Sequence, residues 1–102
     1  ALVERALGRL RAAYPGQRIE VAEAWGGAID STPDAVPVIS PCEGMPGLTL
    51  ATGFSGHGFG IGPAAGTLAA NLATGEAPIV DPRPFRHSRF LTGEAIRPSR
   101  SL

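Results

Sequence analysis

Leu48-Thr-Leu-Ala-Thr52, Gly53-Phe-Ser-Gly-His-Gly-Phe-Gly-Ile-Gly62 and Pro63-Ala-Ala-Gly-Thr-Leu-Ala-Ala-Asn-Leu-Ala-Thr74 follow one another without a break. The first piece is apolar on both faces, the pattern of a buried strand such as parallel sheets contain. The second has Gly at 53, 56, 58, 60 and 62. The third predicts a helix over 63–74. Ile61, Ala65, Leu68 and Leu72 form its buried stripe, Pro63 fits the first turn where no N–H is needed, and Gly75 fits the C-terminal stop. Gly66, Ala69 and Ala70 keep that helix slim enough to pack close to a sheet. Together the three pieces predict a backbone-lined cradle. Glycine lets the main chain approach a ligand and take positive φ without strain. The start of a helix adds free N–H groups and partial positive charge. Such a cradle suits an electron-rich group.

Upstream, Val3, Ala6, Leu7, Leu10 and Tyr14 repeat at helical spacing and predict an amphipathic helix over 2–14, stopped by Pro15-Gly16. Residues 18–24 alternate, with Ile19 and Val21 against Glu20 and Glu23, which predicts a half-buried strand ending at Trp25. Gly26-Gly27 permits a bend. Asp30-Ser-Thr-Pro-Asp34 is turn chemistry. Residues 35–40 predict a short strand that Pro37 makes irregular or an edge. Residues 41–47 read as a loop, and the Pro content from Ala77 to Pro84 argues against regular structure there. The predicted fold is α+β: an N-terminal helix, two or three major strands, and the glycine-rich loop leading into a second helix.

The chain has 102 residues, so it is at most one small domain, and 14 Gly with 10 Pro make it rich in loops. Its net charge is zero, which gives no general attraction to nucleic acid or to a membrane surface. All nine basic residues are Arg, and Arg83, Arg86, Arg89, Arg97 and Arg100 crowd the end against Glu94. A loose, solvated tail is expected over 77–102, in which Phe85 and Phe90 are the candidate anchors. Cys42 has no second cysteine to pair with and points to a reducing, cytoplasmic compartment. No apolar run approaches the length of a membrane span. The chain does not open on Met, which suggests a processed chain or a piece of something longer.

Three readings of the glycine loop compete. A tight strand-to-helix crossing needs one or two glycines, fewer than stand here. Gly60-Ile-Gly62-Pro-Ala-Ala65 matches the form G-x-G-x-x-A of a dinucleotide site. That site, however, needs a following strand that ends in an acidic residue. Ile79-Val80-Asp81 is too short for this and is walled in by Pro78, Pro82 and Pro84. The third reading is a resemblance. The run from Ala51 to Ala64, with Trp25-Gly-Gly27, Thr32-Pro-Asp34, Pro37-Val-Ile39 and Pro46-Gly-Leu48 before it and Gly75, Pro78, Phe85 and Arg89-Phe90 after it, resembles the C-terminal part of the D-amino-acid oxidase-like flavoenzymes. These include glycine and sarcosine oxidases and D-amino-acid dehydrogenases. The resemblance covers about residues 17–90.

The resemblance implies the last part of a two-domain FAD enzyme that oxidises an amine or amino acid by hydride transfer to flavin. Residues 19–47 would belong to the substrate domain and 48–76 to the strand, loop and helix against the flavin. The partners implied are the remainder of the enzyme before Ala1 and a small amine or amino-acid substrate. The cofactor-binding residues implied are Gly56, His57, Gly58, Phe59, Gly60, Ile61 and Gly62. The backbone from Gly58 to Gly62 would offer N–H groups to the end of the ring that becomes negative on reduction. The Gly56 carbonyl would face the substrate amine. His57 reads as a packing histidine near the flavin rather than a base, and no residue is assigned as catalytic. Sarcosine-oxidase-like members often carry Lys where Gly60 stands. Covalently flavinylated members carry Cys ahead of the Thr-Pro-Asp element, where this chain has Gly27, so the FAD is expected to be non-covalent. Trp25 is expected in the core, His87 in solvent, and Cys42 and Met45 in a loop. The two His and one Cys form no metal-ligand set. Length and the basic tail keep a second class open: a non-enzymatic small subunit or an anion-binding interaction module.

Overall fold

The computed structural model describes residues 2–99; Ala1 and, of the basic tail, Arg100 lie outside the described residues. The elements in order are α1 (Leu2–Ala13), β1 (Val38–Pro41), β2 (Thr49–Thr52) and α2 (Gly58–Thr74), followed by 3-10 turns at Arg83–Phe85 and His87–Phe90. This is the α+β content expected, with two strands. β1 and β2 form an antiparallel pair in which Val38 faces Thr52 and Pro41 faces Thr49. The expectation of a parallel setting for β2 is corrected by its connection. Cys42 donates its N–H to the Leu48 carbonyl at 2.8 Å, and Met45 and Leu48 close two further turns. A hairpin this short joins only antiparallel strands.

The core lies where α2 crosses this pair. Ile39 and Leu68 are buried almost completely, Ala65 sits between them, and Phe54, Ala69, Leu72 and Phe85 pack around the three. α2 ends as the sequence predicts. Gly75 has φ 75° and returns its N–H to the Asn71 carbonyl. Asn71, buried, then receives the Ile79 N–H on its side-chain oxygen, which turns the chain back toward the core.

Residues 18–24 form no strand and bend at Ala22, and among the described residues no neighbouring strand stands beside them to complete a ladder. Among the described residues, α1 buries no side chain and packs on no other helix or strand. Trp25 is 85% exposed rather than in the core. The radius of gyration is 18.9 Å, against about 13 Å for a compact domain of this size. Large apolar side chains such as Leu2, Tyr14, Val21 and Ile29 are thus left exposed. No helix among the described residues is long and apolar enough to cross a membrane.

The basic tail is not all solvated. Arg89 is buried, and the His87 N–H donates to the Ser40 hydroxyl at 3.0 Å across 47 positions of sequence. Arg83–Phe85 forms a 3-10 turn despite its prolines, with Pro84 in a position that needs no donor.

Candidate functional site

β2 ends at Thr52 and reaches α2 through five residues, three of which have an unusual backbone. Gly53, Ser55 and Gly56 all have positive φ, at 68°, 51° and 80°. The His57 N–H donates to the Phe54 carbonyl at 2.8 Å and closes the turn. Two glycines supply left-handed geometry without strain, but Ser55 does not, and a non-glycine residue in this region costs about 1 kcal/mol or more. That cost is offset by a hydrogen-bond network to the segment 30–32.

Asp30 lies beside the start of the turn. Its carboxylate accepts the Thr52 hydroxyl at 2.7 Å and the Gly53 N–H at 2.9 Å, and its carbonyl accepts the Ser55 N–H at 3.1 Å. Ser31 and Phe54 pair in an antiparallel bridge. The Thr32 N–H donates to the Ser55 hydroxyl oxygen at 3.1 Å. Asp34 follows, turned by accepting the Val36 N–H, and meets Arg89 in an ion pair at 2.9 Å. Burial pushes the Asp34 carboxyl up, but the Arg89 guanidinium and the Val36 N–H outweigh it and hold the group below its ordinary value.

The helix starts five residues earlier than predicted. Gly58 opens α2, and Pro63 lies inside it. Of the N–H groups that the stretch from Gly58 to Gly62 is expected to offer, two are taken up in the first turn of the helix. Gly60 and Ile61 both donate to the His57 carbonyl, at 3.1 and 3.2 Å, so the free donors at this helix start are Gly58 and Phe59. His57 is the N-cap residue and provides no side-chain cap, which leaves those two groups uncovered. Pro63 has no N–H to give the Phe59 carbonyl, the acceptor four residues back.

The structure brings the sequence-predicted residues together at one end of α2. Gly56 and His57 stand on the exposed turn, Phe59 projects fully into solvent, and Gly60 and Ile61 are exposed on the first turns of the helix, with Gly62 half-buried. A Cβ built on Gly56, Gly60 or Gly62 meets nothing within 4 Å, so these glycines leave open space rather than room for a protein neighbour. A cleft of about 410 Å³ runs alongside, between Ala28–Asp30 and the turn that carries Gly56, Gly58 and Phe59. Among the described residues no cluster of His, Cys, Asp and Glu is arranged to hold a metal ion.

Sequence reasoning missed Asp30, Ser55 and the Asp34–Arg89 pair. The Asp30-to-Asp34 stretch reads correctly as a turn, but its partners are 22 to 55 positions away. No local pattern signals them.

A family model described as FAD dependent oxidoreductase matches residues 1–72. The glycine oxidase of Pseudomonas aeruginosa is 39% identical over 61 residues, which cover 60% of this chain and 17% of the relative. The N-methyl-L-tryptophan oxidase of Salmonella typhimurium is 43% identical over 61 residues, covering 60% of this chain and 16% of that one. Among solved structures, the L-amino acid deaminase from Proteus vulgaris superposes with a TM-score of 0.71 at 33% identity, over 82% of this chain and 20% of its own. The chain thus spans about a fifth or less of the length of these relatives.

Proposed function

The chain belongs to the family of FAD-dependent oxidoreductases, and on that premise we propose that it is the flavin-facing C-terminal part of an enzyme that oxidises an amine or amino acid. The observation that carries this reading is the uncapped start of α2, which opens beside the cleft on a turn of glycines. In it, residues 19–47 contribute to the substrate domain, 48–76 form the flavin contact, and the segment after 77 packs behind it. The remainder of the enzyme, with the adenine and pyrophosphate sites, precedes residue 1. The large exposed side chains Val21, Trp25 and Ile29 support a body of protein that covers them.

The residues present fit a flavin ring. When bound, FAD supplies the hydride acceptor, and negative charge gathers at one end of its ring system on reduction. Gly58 and Phe59 would present two N–H donors to that charge. The seventeen-residue α2 adds the positive end of its dipole, and preorganised donors of this kind stabilise developing charge without moving. Gly56, Gly60 and Gly62 lack the Cβ that would hold a planar group away, while Phe59 and Ile61 offer apolar edges. His57 flanks the same turn, where it would pack and hydrogen-bond near the ring rather than remove a proton. The named substrates of the relatives support an amino acid or N-methyl amino acid as the substrate.

The full-length polypeptide that contains this segment is expected to purify with a visible flavin absorption band. Acid precipitation should leave the flavin in the supernatant, as a non-covalent cofactor requires. A colourless protein that gains no band on adding FAD would sink the reading, and flavin retained in the pellet would sink the non-covalent part.

Gly60→Ala separates a structural glycine from a functional one. Gly60 lies inside α2 without positive φ and with open space about its Cβ position, so alanine should stabilise the apoprotein by up to about 1 kcal/mol. The same methyl group would stand on the proposed flavin face. FAD affinity should fall as the melting temperature of the apoprotein rises; if both rise together, Gly60 does not face the cofactor.

A further inference from the structure

We propose that Ser55 is a positioning residue for the flavin contact: it acts through the backbone, fixing the turn that aims the Gly58 and Phe59 donors. The inference rests on the flavin reading of that turn. Ser55 is 1% exposed and has φ 51°. If only backbone geometry mattered, glycine would satisfy the position at lower cost. What serine adds is a hydroxyl, and that hydroxyl is fully employed. It accepts the Thr32 N–H at 3.1 Å and donates to the Gly53 carbonyl at 3.1 Å, with the Thr32 hydroxyl oxygen 3.3 Å away. The Thr32 proton goes to the Val36 carbonyl at 2.9 Å, so the single Ser55 proton serves Gly53.

One buried hydroxyl therefore links the start of the turn, at Gly53, to Thr32 of the neighbouring segment. Gly53, the residue after β2, is held on one side. On the other, Ser55 lies three residues before Gly58, with only the Phe54–His57 turn between. The residues that would touch flavin make no such tie themselves, since Gly56 and His57 are exposed and the start of α2 has no side-chain cap. Without the Ser55 hydroxyl the turn keeps its fold through Asp30 and the Ser31–Phe54 bridge, but the angle at which α2 starts is less tightly held.

The test compares wild type, Ser55→Gly and Ser55→Ala in the full-length protein. It reads the dissociation constant for FAD, the visible circular dichroism of the bound flavin, and the melting temperature of the apoprotein. Ser55→Gly relieves the left-handed strain as it removes the hydroxyl, so the apoprotein should melt close to wild type. Its FAD dissociation constant should rise about tenfold, the equivalent of about 1.4 kcal/mol, and the flavin dichroism should change. Ser55→Ala keeps the strain and should show the same flavin defects with a lower melting temperature. A Ser55→Gly protein with wild-type affinity and dichroism overturns this inference alone, whereas a wild type that binds no flavin overturns the flavin reading and this inference with it. Should Ser55→Gly not fold, Asp30→Ala carries the test, because its exposed carboxylate holds the same turn from outside. It should lower the melting temperature through the lost bonds to Thr52 and Gly53, and it should also weaken FAD binding several-fold and change the flavin dichroism; unchanged binding and dichroism count against the proposal.

Discussion

Arg89→Ala should lower the stability of the protein by about 3 kcal/mol, the low end of what removing one partner of a buried ion pair costs. Arg89 is 6% exposed and works with every nitrogen of its guanidinium. Nε and Nη2 grip the two oxygens of Asp34 at 2.9 and 3.2 Å, Nη2 also reaches the Val36 carbonyl at 2.6 Å, and Nη1 reaches the Arg86 carbonyl at 2.9 Å. Its charge lies 4.2 Å from the centre of the Phe90 ring. Alanine would deprive a carboxylate and two carbonyls of this donor in a place where water replaces it poorly. The low end of the range applies because the Asp34 side chain keeps 15% of its exposure. Arg83→Ala is the control: that pair with Asp81 is 83% and 49% exposed, where solvent screens the charges, and its loss should be far smaller. Denaturant unfolding of both variants checks the contrast, and equal losses would rule out the buried clamp.

The same clamp has a pH signature whose sign follows from the direction of the Asp34 shift. The folded protein holds this carboxyl below its ordinary value of 3.8. Its ionised form is therefore favoured by folding, and the contribution is present above that value and lost as pH falls through the lower, folded one. In Arg89→Ala burial acts without its largest opponent, and protonation of Asp34 becomes the easier state. The stability gap between wild type and variant should narrow as the pH is lowered below about 4. A gap that is constant with pH would mean that Arg89 acts through packing alone.

What was legible in the sequence was whatever neighbouring residues decide among themselves. Leu68 and Ala65 lie on the buried side of α2, and Gly75 ends the helix. β1 and β2 fall within three residues of their predicted starts. The start of α2 was not legible. Glycine propensity argues for a loop over 58–62, yet the packing of Ala65 and Leu68 on Ile39 continues the helix back to Gly58. The alternation from Ile19 to Glu23 is real, but a strand is a property of two chain segments, and these residues have no partner among those described. The site was legible as a glycine turn. Its restraints were not, since Asp30, Thr32 and Asp34 show only local turn chemistry while they bind residues far along the chain.

Gly53→Ala should cost about 3 kcal/mol, summing roughly 1–2 for a left-handed alanine and 1–3 for overpacking. The two effects arise at one atom. Gly53 has φ 68°, and a Cβ placed on it stands 2.5 Å from the Thr32 methyl group. A flexible side chain would swing aside, but Thr32 is stiff at χ1 and its hydroxyl is held by the Val36 carbonyl at 2.9 Å. Moving the methyl group away breaks that bond, and moving Gly53 away breaks its N–H bond to Asp30 at 2.9 Å. Gly56→Ala isolates the first effect, because Gly56 has φ 80° with nothing within 4 Å of its Cβ position. It should cost about 1–2 kcal/mol, from backbone strain alone. Adding Thr32→Ser to Gly53→Ala deletes the offending methyl group while keeping the hydroxyl, and should recover the steric part of the loss but not the strain. A double variant no more stable than Gly53→Ala would mean that the contact between these two segments is not what requires glycine at 53.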